Sequence, residues 1–472
     1  MATTPYFVLS PNTVLSVLGL VRGPDEVVPT PAEDWRTARV DVIIPALNEA
    51  AHIALCLASV MRQTVTPRRI VLVDDGSSDG TVETAEAFCR LHGVELQAIR
   101  RRSPIGKTPT LKRQARELDS DVEFILDADT VLESENYIAR TVEELYKGVG
   151  VACACGTILP LRRRDRRTLL ARDEMQAFAA AWPQAAVQHE SRWRDFATGI
   201  TNLYREVLYS YLQRFIYKGQ VVFFGTISNP VGCAVAYRRK YVEDLFDYFT
   251  PRLGDDLTNS EDIFIGLAMI DKGYRNVQLT DVYARTVEPP FYRLPRQVYL
   301  WSSAFLQSCY YFDPLVRSPL KAARRSVAQW ARPAAARKGD QPNDRPTEPS
   351  GRERRRIAEP YRQAFGRERT SAFGRPAGWM LLMSAVEKVF FPTTLLILIL
   401  LRYWEALAMT LAFETAVGLT CLVVVMKGQR LEFFAKGLLV APIRYVMLLS
   451  DLGTIGRFAV DLWVRKDRRW RK

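Results

Sequence analysis

Between Val40 and Leu126 four short apolar runs alternate with amphipathic segments, and the runs give way to polar, turn-forming residues. The residues from Val40 to Pro45 read as a buried strand, Glu49 to Gln63 as a helix and Arg69 to Val73 as a second strand. Thr81 to His92 carries helical periodicity, Glu95 to Arg100 is strand-like, Thr110 to Glu117 is helical and Glu123 to Leu126 is again a strand. Strands separated by helices predict an α/β fold, a Rossmann-like parallel sheet with right-handed crossovers. Such sheets bind ligands beyond the carboxyl ends of their strands, where Asn48, Asp74, Asp75, Asp127 and Asp129 fall. Strand patterns at Val151 to Thr157 and Val231 to Tyr237, and a helix from Asp262 to Lys272, predict the second half of the same domain, which spans 40–317.

At 472 residues the chain is longer than one hydrophobic core usually organises. The stretch from Val389 to Met426 is almost continuously apolar, broken mainly by Arg402, Glu405 and Glu414. It suffices for two bilayer crossings at about 20 residues each. Leu431 to Val464 is apolar but studded with Lys436, Arg444, Asp451, Arg457 and Asp461, which predicts an interfacial or re-entrant segment. The basic tail 465–472 belongs on the cytoplasmic side, and two crossings satisfy both ends of the 379–464 region. The expectation is a multi-pass protein of a bacterial inner or plasma membrane, with its 40–317 domain in the cytoplasm. At the other end, Tyr6 to Val21 is apolar but broken by Pro11 and Asn12. It is too short to span, so segment 1–39 is either a membrane-surface helix or a strap over the domain.

The formal net charge of +13 is concentrated: residues 318–378 hold fifteen Lys/Arg against six Asp/Glu. A basic segment beside apolar helices favours membrane lipids as its partner and excludes nucleic acid, for which the chain has no motif. Its Arg, Pro and Ala content predicts a flexible insertion. Seven irregularly spaced cysteines form no secreted disulfide framework.

The chemistry concentrates in carboxylates. Asp127 and Asp129 follow a strand and offer hard oxygens suited to Mg²⁺ or Mn²⁺ bridging two phosphates. Asp74 and Asp75 end a strand at a turn, where either can accept from a base N–H or a ribose hydroxyl, while Asp79 caps the helix that follows. Glu261 and Asp262 open a helix, and Asp262 is the candidate general base, with Asp255 and Asp256 as rivals. Lys107 precedes a helix and can approach a diphosphate as a point charge. His52, His92 and His189 show no ligand spacing.

Together these residues resemble the inverting glycosyltransferases of family two, with the GT-A fold, and particularly the membrane-integrated branch of hyaluronan, chitin and cellulose synthases. The similarity covers roughly 40–308. Pro45-Ala46-Leu47-Asn48-Glu49 resembles the first nucleotide loop, Asp74-Asp75-Gly76 the uridine-binding turn, Gly106-Lys107 the segment before the donor diphosphate and Asp127-Ala128-Asp129 the metal motif. Asn229 to Arg239 is similar to the acceptor-side loop, and Ser260-Glu261-Asp262 to the Thr-Glu-Asp motif, whose helix spacing favours Asp262 over Asp256. The Gln-x-x-Arg-Trp motif is matched at Gln297 and Trp301, but Leu300 stands in place of its arginine and Arg296, next door, would point elsewhere.

The resemblance implies transfer from a UDP-sugar with inversion: Asp262 takes the acceptor proton, and the metal-bound diphosphate departs. Glu261, Gln297 and Trp301 would serve the acceptor. It implies a growing β-linked polysaccharide as product, with a single addition to a membrane lipid as the alternative. Two crossings make only a narrow channel unless further protomers or a helper membrane protein add helices.

Overall fold

The computed structural model describes residues 11–22, 34–147, 150–183, 191–253, 260–330 and 376–466. Asp255, Asp256, His189, most of the basic insertion and the end of the basic tail lie outside the described residues.

The strands are β1 (Val40–Ala46), β2 (Arg69–Asp74), β3 (Gln97–Arg100), β4 (Val122–Leu126), β5 (Thr130–Leu132), β6 (Val151–Pro160), β7 (Ala234–Arg238) and β8 (Arg275–Thr286). They form one sheet in the order β3-β2-β1-β4-β7-β6-β8-β5. The first four in that order pair in parallel, as the alternating pattern predicts. β7 then enters antiparallel to β4 and β6, and β8 runs parallel to β6. The sheet is mixed and α/β, with a Rossmann-like parallel half as the alternating pattern predicts.

Six helices accompany the first half: α1 (Pro11–Arg22), α2 (Ile53–Met61), α3 (Thr81–His92), α4 (Lys107–Glu117), α5 (Tyr137–Lys147) and α6 (Arg163–Leu170). In the second half come α7 (Asp173–Ala181), α8 (Arg192–Tyr211), α9 (Lys218–Phe224), α10 (Arg239–Leu253), α11 (Glu261–Lys272) and α12 (Leu294–Tyr311). A π-helical turn, Leu212–Tyr217, joins α8 to α9. The strands read as apolar runs because both faces are covered: Val42, Ile43, Ile44, Val71, Leu72, Val73 and Phe124 are wholly inaccessible. Each such side chain contributes about 1.5–3 kcal/mol by leaving water.

Where boundaries differ from the pattern, backbone contacts explain it. The strand expected from Val231 begins at Ala234, since the Gly232 carbonyl accepts from Lys107 Nζ (3.1 Å), the Gly232 N–H donates to Asp262 Oδ2 (3.1 Å) and the Cys233 carbonyl accepts from the Asp127 N–H (2.9 Å). Those backbone groups serve the candidate site instead of a ladder.

After α12 the chain forms α13 (Asp313–Val316) and α14 (Ser318–Trp330), then α15 (Pro376–Leu400), α16 (Trp404–Val425) and α17 (Arg430–Ala459). Residues 318–330, expected as the start of the flexible insertion, are helical because α14 and α15 pack closely. A Cβ at Gly378 would lie 2.3 Å from Ser318 Oγ and 2.5 Å from the Leu315 carbonyl oxygen. Helix α1 packs against α9 and α15. Asn12 donates from its backbone N–H and from Nδ2 to the Glu387 carboxylate (3.2 and 3.1 Å) and from Nδ2 to Ser384 Oγ (3.1 Å), and Gly19 packs against Gly219 of α9.

Three segments, Ala377–Leu400, Trp404–Val425 and Arg430–Val464, are long and apolar enough to cross a membrane by length and composition, where the sequence pattern predicts two crossings. The third, read from its charges as interfacial, is one long helix whose charges point to partners. Lys436 Nζ is 2.9 Å from Glu206 on α8, Arg444 pairs with Glu414 on α16, and Asp451 pairs with Lys388 on α15. Arg457 lies 4.8 Å over the ring of Tyr299 on α12. Thus α17 lies along α8 and α12 of the sheet domain from Lys436 to Arg457.

Candidate active site

At the carboxyl end of β1 the chain turns through Pro45 and Ala46 to Asn48, a non-glycine residue with φ of +59°. The turn is held by the loop after β2. Asn48 N–H donates to Ser77 Oγ (2.8 Å), Ser78 N–H to Asn48 Oδ1 (2.9 Å), Glu49 N–H to Thr81 Oγ1 (2.8 Å) and Ala50 N–H to Asp79 Oδ2 (3.0 Å). Asp79 Oδ1 also accepts from Thr81 N–H (3.1 Å), so one carboxylate ties the start of α3 to the neighbouring loop, while the N-cap of α3 is Gly80 and not Asp79 as the sequence pattern predicts.

The two acids of the β2 turn divide their work. Asp75, buried, accepts from the Ile105 N–H (3.0 Å), the Gly106 N–H (2.8 Å) and Arg101 Nη1 (2.9 Å). Its carboxylate is spent on the 101–106 loop, where Gly106 has φ of +96° and leads into α4. Among the described residues Asp74 accepts only from the Ser77 N–H, at 3.2 Å from each oxygen. Of the pair, Asp74 keeps the greater capacity for a further donor.

The loop held by Asp75 delivers Lys107, the first residue of α4, to the middle of the site. Its Nζ lies 2.6 Å from Asp127 Oδ1 and 2.6 Å from Glu261 Oε1, and donates to the Gly232 carbonyl. Burial works against its charge, but the two carboxylates more than offset it and hold its pKa above the ordinary lysine value. Burial and the nearby acids Asp262 and Asp127 raise the Glu261 pKa, against the pull of Lys107. Asp262, next along, accepts at Oδ2 from Gly232 and at Oδ1 from the Ile263 N–H (2.8 Å) and the Ser260 hydroxyl.

Asp129 points the other way. Its Oδ1 sits 3.3 Å from Thr130 Oγ1 and 3.5 Å from Thr286 Oγ1, and burial, then Asp127 and Glu49, push its pKa up to about 8. Carboxylates crowded at the end of one strand are what a divalent cation relieves. Among the described residues no cluster of three or more protein ligands exists. Mg²⁺ or Mn²⁺ held by Asp127 and Asp129 would therefore need phosphate oxygens and water to complete its shell.

Asp129 also lines a cavity of about 810 Å³ between the end of the sheet, α6, α8, α12 and α17. Its wall includes Glu49, His52, Glu288, Gln297, Leu300 and Lys436, and its rim carries Arg163, Arg164, Arg194, Arg293 and Arg296. His52 was not distinguishable in the sequence, yet its Nδ1 meets Glu49 Oε2 at 2.8 Å on this wall. Trp301, half-buried, stands behind Gln297. Arg205, on α8, was missed altogether: its guanidinium is wholly buried, 4.4 Å over the Trp301 ring, and Nη2 donates to Gln297 Oε1 at 2.8 Å. No sequence signal distinguishes it from the other arginines of the 192–224 helices, which the apolar pattern did not reveal.

Residues 41–246 match the family model described as Glycosyl transferase family 2. A PGL/p-HBAD biosynthesis glycosyltransferase of Mycobacterium bovis (strain BCG / Pasteur 1173P2) is 35% identical over 99 residues, 21% of this chain and 38% of that protein. An undecaprenyl-phosphate 4-deoxy-4-formamido-L-arabinose transferase of Serratia proteamaculans is 28% identical over 121 residues, 25% and 37% of the two chains. This chain thus spans well under half the length of these curated relatives. Among solved structures, a mannosyltransferase from Pyrobaculum calidifontis in complex with GDP-Man and Mn²⁺ is 17% identical, with 96% of this chain and 99% of that one covered at a TM-score of 0.44.

Proposed function

On the premise that residues 41–246 form a family 2 glycosyltransferase domain, we propose that the protein transfers a sugar from a nucleoside diphosphate sugar, a UDP-sugar, to a hydroxyl of a negatively charged acceptor held at a membrane. The observation that carries this reading is the junction at Asp127 and Asp129. On one side lies the Lys107–Glu261–Asp262 cluster, and on the other a cavity with an arginine rim and the apolar helix α17 as part of its wall.

In this reading the nucleotide lies over the ends of β1 and β2, with Pro45, Asn48, Glu49 and Asp74 around it and Asp75 holding the loop beneath. Asp127 and Asp129 would hold Mg²⁺ or Mn²⁺, which when bound would offset the charge of the departing diphosphate. Lys107 gives up its contact with Asp127 and turns its ammonium to the same phosphates. Asp262, oriented by the hydrogen bonds it accepts, takes the proton of an acceptor hydroxyl that reaches from the cavity past Asp129 to the Lys107–Glu261 side, and that oxygen attacks the anomeric carbon from the face opposite the diphosphate, with inversion. Glu261 keeps Lys107 in place, and Gln297 forms part of the acceptor wall with Trp301 packed behind it.

The cavity's cations stand beside the acids Asp195, Glu206 and Glu432, with Arg163 paired to Asp195 at 3.5 Å; their excess supports an anionic acceptor, and the Serratia relative is named for a lipid phosphate. A growing β-linked glycan is the second reading, supported by Gln297 and Trp301 beside the cavity. The test is a transfer assay on membranes containing the protein, with labelled UDP- and GDP-sugars and Mn²⁺ or Mg²⁺. A short, lipid-extractable product supports the first reading and a long polymer the second. Absence of product from every donor, with lipid extract supplied, overturns both.

A further inference from the structure

Helix α12 presents Gln297, Leu300 and Trp301 on one face, since positions three and four apart are neighbours on a helix, and Gln297 and Leu300 line the cavity. The face carries no cation of its own at 300. A guanidinium reaches it from elsewhere. Arg205 of α8 lies against Trp301 at 4.4 Å, with Tyr204 and Tyr209 rings at 5.6 and 5.7 Å, and its Nη2 donates to Gln297 Oε1 at 2.8 Å. Behind it, Arg205 Nε is 3.7 Å from Glu288 Oε2, and Tyr209 OH donates to Glu288 Oε1 at 2.7 Å. Arg205 has no exposed side-chain surface and Glu288 has 2%.

A fully buried arginine is rare and costly unless its charge is paired and its donors are used. Here the Glu288 carboxylate balances the charge at 3.7 Å, aromatic faces stabilise the cation, and the one N–H that Nη2 donates to Oε1 selects one orientation of the Gln297 amide. With Oε1 accepting from Arg205, the Gln297 NH₂ is left as the donor to whatever enters the cavity. A neutral residue at 205 would leave the amide free to flip, offering an acceptor as readily as a donor.

We infer that Arg205 is a positioning residue for the acceptor: from α8 it fixes the Gln297 amide and the Trp301 ring, a task the residue at 300 does not perform in this chain. The inference rests on the glycosyl-transfer reading above. It concerns the acceptor wall alone and leaves the donor site, around Asp74, Lys107 and Asp127, untouched.

The experiment compares the wild type with Arg205→Gln, Arg205→Lys, Arg205→Gln/Leu300→Arg and Arg205→Gln/Glu288→Gln, the last keeping the buried shell neutral. Steady-state constants for donor and acceptor are measured on the membrane-embedded protein. Arg205→Gln is expected to raise the acceptor KM or lower kcat by about 10- to 100-fold, the usual cost of lost orientation, with the donor KM unchanged. Arg205→Lys, which keeps the charge but not the planar guanidinium, should recover part of the loss, and Leu300→Arg in the Arg205→Gln background more of it. Acceptor kinetics unchanged in Arg205→Gln overturn the inference. So does an equal loss in donor and acceptor terms, in both neutralised variants, that Leu300→Arg does not relieve, since that outcome assigns Arg205 to folding alone. A wild type inert with every donor overturns the transfer reading and the inference with it, whereas an active wild type with an indifferent Arg205 overturns only the inference.

Discussion

Gly232 and Asp262 are fitted to each other. The Gly232 N–H donates to Asp262 Oδ2 at 3.1 Å, and a Cβ added at Gly232 would lie 2.6 Å from Asp262 Cβ and 2.8 Å from that same oxygen. The carboxylate proposed as base is therefore oriented by a backbone group, and any side chain at 232 must displace it. Gly232→Ala should lower the transfer rate by about 10-fold or more through misorientation.

Removing the base itself should cost more. Asp262→Asn keeps the shape of the side chain and should slow transfer to a hydroxyl by about 10²- to 10⁴-fold, the range for a positioned general base, while metal-dependent UDP binding stays intact. Measuring UDP binding and turnover on the same preparation separates the two effects. A retained rate would mean that the attacking oxygen needs no base, as with an acceptor phosphate that is already ionised.

Lys107 occupies in the free protein a place that a divalent cation would contest, since its ammonium lies 2.6 Å from Asp127 Oδ1. Lys107→Met should therefore bind Mn²⁺ more tightly when no nucleotide is present, by calorimetric titration. It should nevertheless transfer sugar about 10- to 100-fold more slowly, because a charge aimed at the leaving diphosphate is gone. Weaker Mn²⁺ binding in the variant would show that Lys107 organises the carboxylates instead of competing for them.

The sheet could be read from the chain because its strands are buried on both faces, so β1, β2 and β4 stand out as apolar runs, interrupted near their starts by Asp41 and Glu123, with acids at their ends. Asp127 and Asp129 followed directly from that register. Asp75 did not: whether a turn carboxylate faces a ligand or its own loop depends on Ile105 and Gly106, some thirty residues away. Arg205 was out of reach for the same reason, since the groups that make its burial tolerable, Glu288, Gln297 and Trp301, come from segments with no sequence relation to α8. In α17, a charge every turn or two resembles an interfacial helix until the partners Glu206, Glu414 and Lys388 are known.

Glu123, in β4, is a further buried acid that the proposed chemistry does not use. Burial first, with Asp41 and Glu243 adding and Arg239 opposing, pushes its pKa up to about 8, against about 4.3 in an unfolded chain. Between those values the folded protein holds a proton that the unfolded chain has released, so this group's contribution to stability is full below about pH 4 and is lost as pH rises toward 8. Glu123→Gln removes the linkage. Its unfolding temperature in detergent should exceed that of the wild type by a margin that widens between pH 5.5 and 8.5. A margin constant with pH would mean that Glu123 is ionised throughout.

The contact between Lys388 and Asp451 ties two of the apolar C-terminal helices to the sheet domain. Lys388 also donates to Ser302 Oγ on α12 at 2.7 Å, and the paired side chains are only 2% and 3% exposed. A buried pair contributes little net stability against apolar residues of the same volume, but removing one partner strands the other charge at a cost of about 3–5 kcal/mol. Lys388→Met alone should thus lower the unfolding temperature sharply, and so should Asp451→Leu alone, whereas the double variant should regain most of the loss. If the double variant also docks α17 correctly, its transfer activity will match the wild type. If it folds but transfers poorly, the pair and its bond to Ser302 are setting the position of α12, and with it Gln297 and Trp301.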